Sequence, residues 1–152
     1  MKRISKFKNI HLKAYLKSLI ESGENMDDMY AMNTLDLSSS ECLAVFLSCS
    51  MLTKREQQKI MKVFFVGAEN AIASHLTLAS IHNKYKSIIF LKTLGSISAI
   101  AKVETILHEI GHYLKKHKNM YFDNITIEQD QLQEEEADEF ARFILTKRLN
   151  KF

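Results

Sequence analysis

No apolar run in the 152-residue sequence reaches the roughly 18–20 residues that a membrane-spanning helix needs, and charges interrupt every candidate. No membrane span is expected. The opening Met1-Lys2-Arg3-Ile4-Ser5-Lys6-Phe7-Lys8 is basic, but no uninterrupted apolar segment of the secretory kind follows it. A cytoplasmic rather than a secreted protein is therefore the expectation. Cysteine is scarce. Cys42 and Cys49 stand seven residues apart in an apolar, helix-like stretch, on one face but two turns apart, too far for a disulfide. They read as inward-facing free thiols of a reducing compartment. Proline is absent altogether, and nothing about the fold is read from that. Internal repeats, low-complexity tracts and linkers are missing too, which leaves no natural place to divide the chain.

What is present is ordinary for one folded domain over residues 1–152. Apolar residues make up 46% and charged residues 26%, enough for a core and too mixed for disorder. The net charge of +3 is too small to argue for nucleic acid by itself. A cluster of positive charges (Lys2, Arg3, Lys6, Lys8, Lys13, Lys17) precedes the first acid, Glu21. It can dock on phosphates or an anionic surface, but it reads first as a solvated helix face. No direct nucleic-acid binding is expected.

Apolar spacing predicts a helix from about Asn9 to Ser22, stopped by Gly23. Ser38-Ser39-Ser40-Glu41 reads as a capping box ahead of the apolar run Cys42 to Leu52. Thr53-Lys54-Arg55-Glu56 is a second box, opening a helix predicted to run to about Val66. The period then changes. Segments 75–82 and 85–92, separated by Asn83-Lys84, read as an antiparallel β-hairpin. Helical spacing returns from about Ser98 to His117, and a last helix spans about Gln131 to Arg148. The order predicts an α+β fold, mostly helical, with a small antiparallel sheet packed on the fifth element. Residues 1–70 form a helical first part, and 73–148 carry the chemistry.

That chemistry begins with His108-Glu109-Ile110-Gly111-His112, an H-E-x-x-H motif. Helical residues i and i+4 lie one above the other, so both imidazoles can reach one zinc ion. Glu109 sits beside the first histidine, where its carboxylate can deprotonate a water held by that metal. With 6 His and 12 Glu in the chain, chance gives this pattern roughly 0.02 times per sequence of this composition. Ile106, Leu107, Ile110 and Leu114 make the helix a buried one, where polar side chains need a partner.

A third ligand is required. Lys115 and Lys118 occupy the positions where an extended H-E-x-x-H-x-x-G-x-x-H pattern has glycine and histidine, which excludes that arrangement. His117 lies five residues past His112, rotated off its face, and reads as a solvated helix end. On the last helix, Ala137, Ala141, Ile144 and Leu145 define an apolar face. Glu134 and Asp138 border it, whereas Glu135, Glu136 and Glu139 point largely away and read as solvated. One of the two bordering carboxylates is the candidate.

His108-Glu109-Ile110-Gly111-His112-Tyr113-Leu114, followed by Glu134-Glu135-Glu136-Ala137-Asp138-Glu139-Phe140-Ala141, resembles the ImmA/IrrE family of zinc metallopeptidases. That family shows H-E-[LI]-G-H and, about twenty residues later, E-x-x-A-[ND]-x-F-A. The likeness covers about residues 73 to 147, including Ser87-Ile88-Ile89-Phe90-Leu91 where the family carries its strand pair. It implies a zincin-like domain with one zinc per chain on His108, His112 and Glu134, and Glu109 as catalytic base. Asp138, one turn on, is then expected to accept the N–H of a ligating histidine. The implied activity is that of a zinc endopeptidase cleaving a helix-turn-helix repressor or similar regulator. Helix 131–148 lacks the proline that often ends its counterpart, and the first 70 residues match no family pattern. The competing expectation is a catalytically silent domain of the same fold that only binds a regulatory protein; the intact Glu109 argues against it. Which tyrosine, among Tyr85, Tyr113 and Tyr121, helps an oxyanion is not fixed by spacing.

Overall fold

The computed structural model describes residues 7–23, 33–67, 87–91, 97–118 and 124–152. Its elements run α1 (Asn9–Ser22), β1 (Asn33–Leu35), α2 (Ser39–Ser50), α3 (Lys54–Ile60), β2 (Val63–Gly67), β3 (Ser87–Leu91), α4 (Ala99–Leu114) and α5 (Ile127–Leu149). This is a mostly helical α+β fold with one small sheet, as the sequence predicts.

The helix starts lie where side-chain chemistry places them. Ser38 Oγ accepts from the Glu41 N–H at 3.2 Å, and Glu41 Oε1 accepts from the Ser38 N–H at 3.0 Å. Thr53 and Glu56 make the same reciprocal pair ahead of α3, at 3.2 and 2.9 Å. Each cap satisfies two N–H groups that the helix itself cannot, worth about 1 kcal/mol. At its other end α1 stops at Gly23, whose φ of 66° is left-handed and free of strain for glycine alone.

Two expectations fail in the sheet. Helix α3 ends at Ile60 instead of Val66, and Val63-Phe64-Phe65-Val66-Gly67 is a strand. Four consecutive β-branched or aromatic side chains favour extended backbone, and Val63, Phe65 and Val66 are fully buried. The sheet is also parallel, not antiparallel. Its order is β1-β2-β3, with Val63 opposite Ser87 and Gly67 opposite Leu91. A strand covered on both faces carries a continuous apolar run, which is what β2 shows. Of the predicted hairpin, 87–91 is β3, while 75–82 and the turn lie outside the described residues.

Helix α4 packs against α5, α2 and β3, and so lies at the centre of the domain. Val103, Ile106, Leu107 and Ile110 on it are all completely buried. Burial of such side chains contributes about 1.5–3 kcal/mol each. Cys49 is buried and Cys42 half-buried, both as free thiols. Burial pushes the Cys49 thiol up to about 12, so it stays protonated and inert. Lys8, Lys13 and Lys17 are exposed on and beside α1, while Lys2, Arg3 and Lys6 lie outside the described residues. Among the described residues no helix is long and apolar enough to cross a membrane.

Candidate metal centre

Helix α4 is anchored at its start. The Ser98 side chain accepts from the Ala101 N–H at 3.3 Å, and Asn9 Oδ1 accepts from the Ile100 N–H at 2.9 Å. The buried stripe then carries His108 inward, at 1% exposure, and His112 follows one turn later, half-buried. Their Nε2 atoms lie 3.0 Å apart.

Helix α5 brings the acids. Ala137 and Ala141 are buried against α4 and leave room for a close approach. Gly111 completes the fit, because a Cβ there meets Phe140 Cδ1 at 2.9 Å and its Cβ at 3.3 Å. Gly111→Ala sets a helix-propensity gain of up to ~1 kcal/mol against ~1–3 kcal/mol of overpacking. Phe140 Cβ, 3.3 Å away, is fixed by the α5 backbone and the half-buried ring packs against the core, so the second effect wins. A net loss of about 1 kcal/mol is expected, read as a lower denaturant midpoint; an unchanged midpoint means that α5 shifts freely.

Across this contact the carboxylate of Glu134 straddles the two imidazoles, with Oε2 2.9 Å from His108 Nε2 and Oε1 3.0 Å from His112 Nε2. Asp138 lies behind His108, its Oδ1 2.6 Å from Nδ1. A carboxylate only accepts, so Nδ1 of His108 carries the proton there. His108, His112, Glu134 and Asp138, four of the five site positions expected from the sequence, thus meet at one place. Glu109 is half-buried on α4 and is not among the converging donors. Tyr113 packs against the core, and Tyr85 and Tyr121 lie outside the described residues.

Two expectations about the surroundings are corrected. The His117 side chain is only 8% exposed, with Nδ1 2.8 Å from His112 Nδ1 and Nε2 2.8 Å from Glu136 Oε2. Neither His117 nor Glu136 is simply solvated. The helical rotation that places His117 off the face of His112 does not apply, because α4 has already ended. Lys116 takes a left-handed φ of 56°, and the His117 N–H turns back to the His112 carbonyl at 3.0 Å. With the Lys116 N–H on the Tyr113 carbonyl at 3.1 Å, this is a Schellman turn. Gln133 clamps the exit: its Oε1 accepts from the Lys118 N–H at 2.8 Å and its Nε2 donates to the Lys118 carbonyl at 2.9 Å. The usual sequence signal for such a turn is glycine at the left-handed position, and a lysine stands there.

Burial holds the His112 imidazole below its ordinary range. Glu134 opposes that shift, while His108 and His117 nearby reinforce it. The ring therefore favours the neutral form that a metal ligand needs.

His108, His112 and Glu134 can hold a metal ion. Two nitrogens bound tetrahedrally at ~2.0–2.1 Å sit roughly 3.3 Å apart, within a few tenths of the 3.0 Å separation seen here. Lone pairs aimed into one space repel unless a cation or a proton lies among them. Two imidazoles and one carboxylate are a donor set that suits a divalent ion such as zinc. The chain matches no family model, and no curated protein or solved structure is significantly similar to it.

Proposed function

We propose that this chain is a zinc-dependent endopeptidase with His108, His112 and Glu134 as ligands and Glu109 as general base. The observation that carries the proposal is the convergence of the three donors from α4 and α5, with a glutamate directly after the first histidine. Zinc held there supplies Lewis-acid polarisation of a carbonyl and lowers the pKa of a water. The protein residues do the rest. Asp138 fixes the ring of His108 through the 2.6 Å contact, so that Nε2 faces the cluster. Glu109 takes the proton from the attacking water and returns it to the departing amine.

The substrate class rests on the likeness of 108–114 and 134–141 to the ImmA/IrrE peptidases. It is a helix-turn-helix repressor, or a similar regulator, cut within a segment that can become extended. Main-chain pairing along a sheet edge suits such a segment, since it demands little of the sequence. Strand β3 is a candidate edge, because its described partner β2 covers one side only.

The test is incubation of the zinc-loaded chain with helix-turn-helix repressors from its own host. Two fragments are expected, and a chelator is expected to prevent them. A repressor that stays intact while remaining bound to the zinc-loaded chain overturns the peptidase reading in favour of a binding module.

A further inference from the structure

We infer that His117 and Glu136 are positioning residues that hold His112 ready for the metal, an inference that rests on the zinc reading above. His108 has a carboxylate directly behind it in Asp138. His112 has none. Behind it stands a second imidazole, and behind that a carboxylate, with contacts of 2.8 Å at each step.

The direction of these hydrogen bonds follows from the two ends. Glu136 can only accept, so Nε2 of His117 donates to it. A His112 that ligates through Nε2 keeps its one proton on Nδ1, and His117 Nδ1, 2.8 Å away, is placed to accept it. The single proton between the two Nδ1 atoms therefore belongs to His112. With its proton on Nδ1, His112 presents the Nε2 lone pair to His108 and Glu134, as ligation requires. His117 is not itself a fourth ligand, since its Nδ1 faces the back of His112 and it is not one of the converging donors.

The chain orders the pair by local means. The Schellman turn folds His117 back over the last turn of α4, and the Gln133 clamp fastens the next residue to α5. Glu136 lies three residues beyond Gln133, on the same helix. Its side chain is 43% exposed, at the wall of a groove of about 550 Å³. It is thus positioned without being needed for the core.

The test uses the full-length chain and four proteins: unaltered, His117→Phe, Glu136→Ala and Glu136→Gln. Zinc affinity is read by competition with a chromophoric chelator. In the zinc-loaded proteins the His112 Nδ1–H is read by proton exchange in ¹⁵N-histidine NMR. His117→Phe is expected to weaken zinc about 10–100-fold, the range usual for groups that orient a ligand. It also speeds exchange of the Nδ1–H. Glu136→Ala shifts both in the same direction by less. Glu136→Gln restores both, because an amide oxygen still accepts from His117 Nε2. Unchanged affinity in His117→Phe and Glu136→Ala overturns the inference, and so does weaker affinity with an unchanged Nδ1–H. If His117→Phe does not fold, the exposed Glu136 pair decides alone. An unaltered chain that binds no zinc overturns the metal reading and this inference with it, an outcome distinct from the other two.

Discussion

Glu134→Ala is expected to lower zinc affinity on the order of 10²–10³-fold while the fold survives. Structural zinc sites bind with about 10–16 kcal/mol, or roughly 2.5–4 kcal/mol for each of four ligands. At about 1.4 kcal/mol per tenfold, losing one ligand gives that factor. The fold survives because the Glu134 side chain is 43% exposed, so its removal opens no cavity. Glu135→Ala is the matched control. It removes a neighbouring, exposed carboxylate from the same turn of α5 and is expected to leave affinity unchanged. Chelator competition on the two variants checks this directly. Equal losses mean that the acidic run acts only through its field, and the ligand assignment falls.

The contrast between Glu134 and Glu135 is readable from sequence because α5 is a long regular helix. One apolar face through Ala137, Ala141, Ile144 and Leu145 fixes the rotation of every other side chain. The same regularity in α4 places His108 over His112, so the candidate metal donors fall on two short motifs. Where periodicity stops, legibility stops with it. The run from Ile60 to Val66 has neither alternation nor a clean 3.6 period, and such a run fits a buried helix or a buried strand equally. The four consecutive β-branched and aromatic residues Val63 to Val66 were the signal that favoured β2. Parallel pairing of β2 with β3 joins residues 24 apart in sequence, Val63 with Ser87, and no local pattern encodes that register. His117 escaped for a different reason. Its position depends on the left-handed turn at Lys116, and lysine gives no hint of such a turn. Gln133 escaped likewise, since what it binds is a backbone segment 15 residues away.

Glu109→Gln is expected to slow cleavage about 10²–10⁴-fold while leaving zinc in place. The substitution preserves size and hydrogen-bonding reach but removes the basicity that the proposed mechanism uses. General base catalysis contributes about 10²–10⁴-fold, so the rate is expected to fall by that factor. Glu109 is not one of the converging donors, so the three ligands and Asp138 remain as they are. Zinc content by metal analysis is therefore expected to equal that of the unaltered chain, and the repressor is expected to persist beside it. Glu134→Ala also slows cleavage, but by losing the ion. The pair of variants thus separates loss of the metal from loss of the base. Cleavage by Glu109→Gln at the unaltered rate removes Glu109 from the mechanism and leaves the metal site untouched. Zinc lost together with activity instead makes Glu109 part of what holds the ion, and the role of base passes to another group.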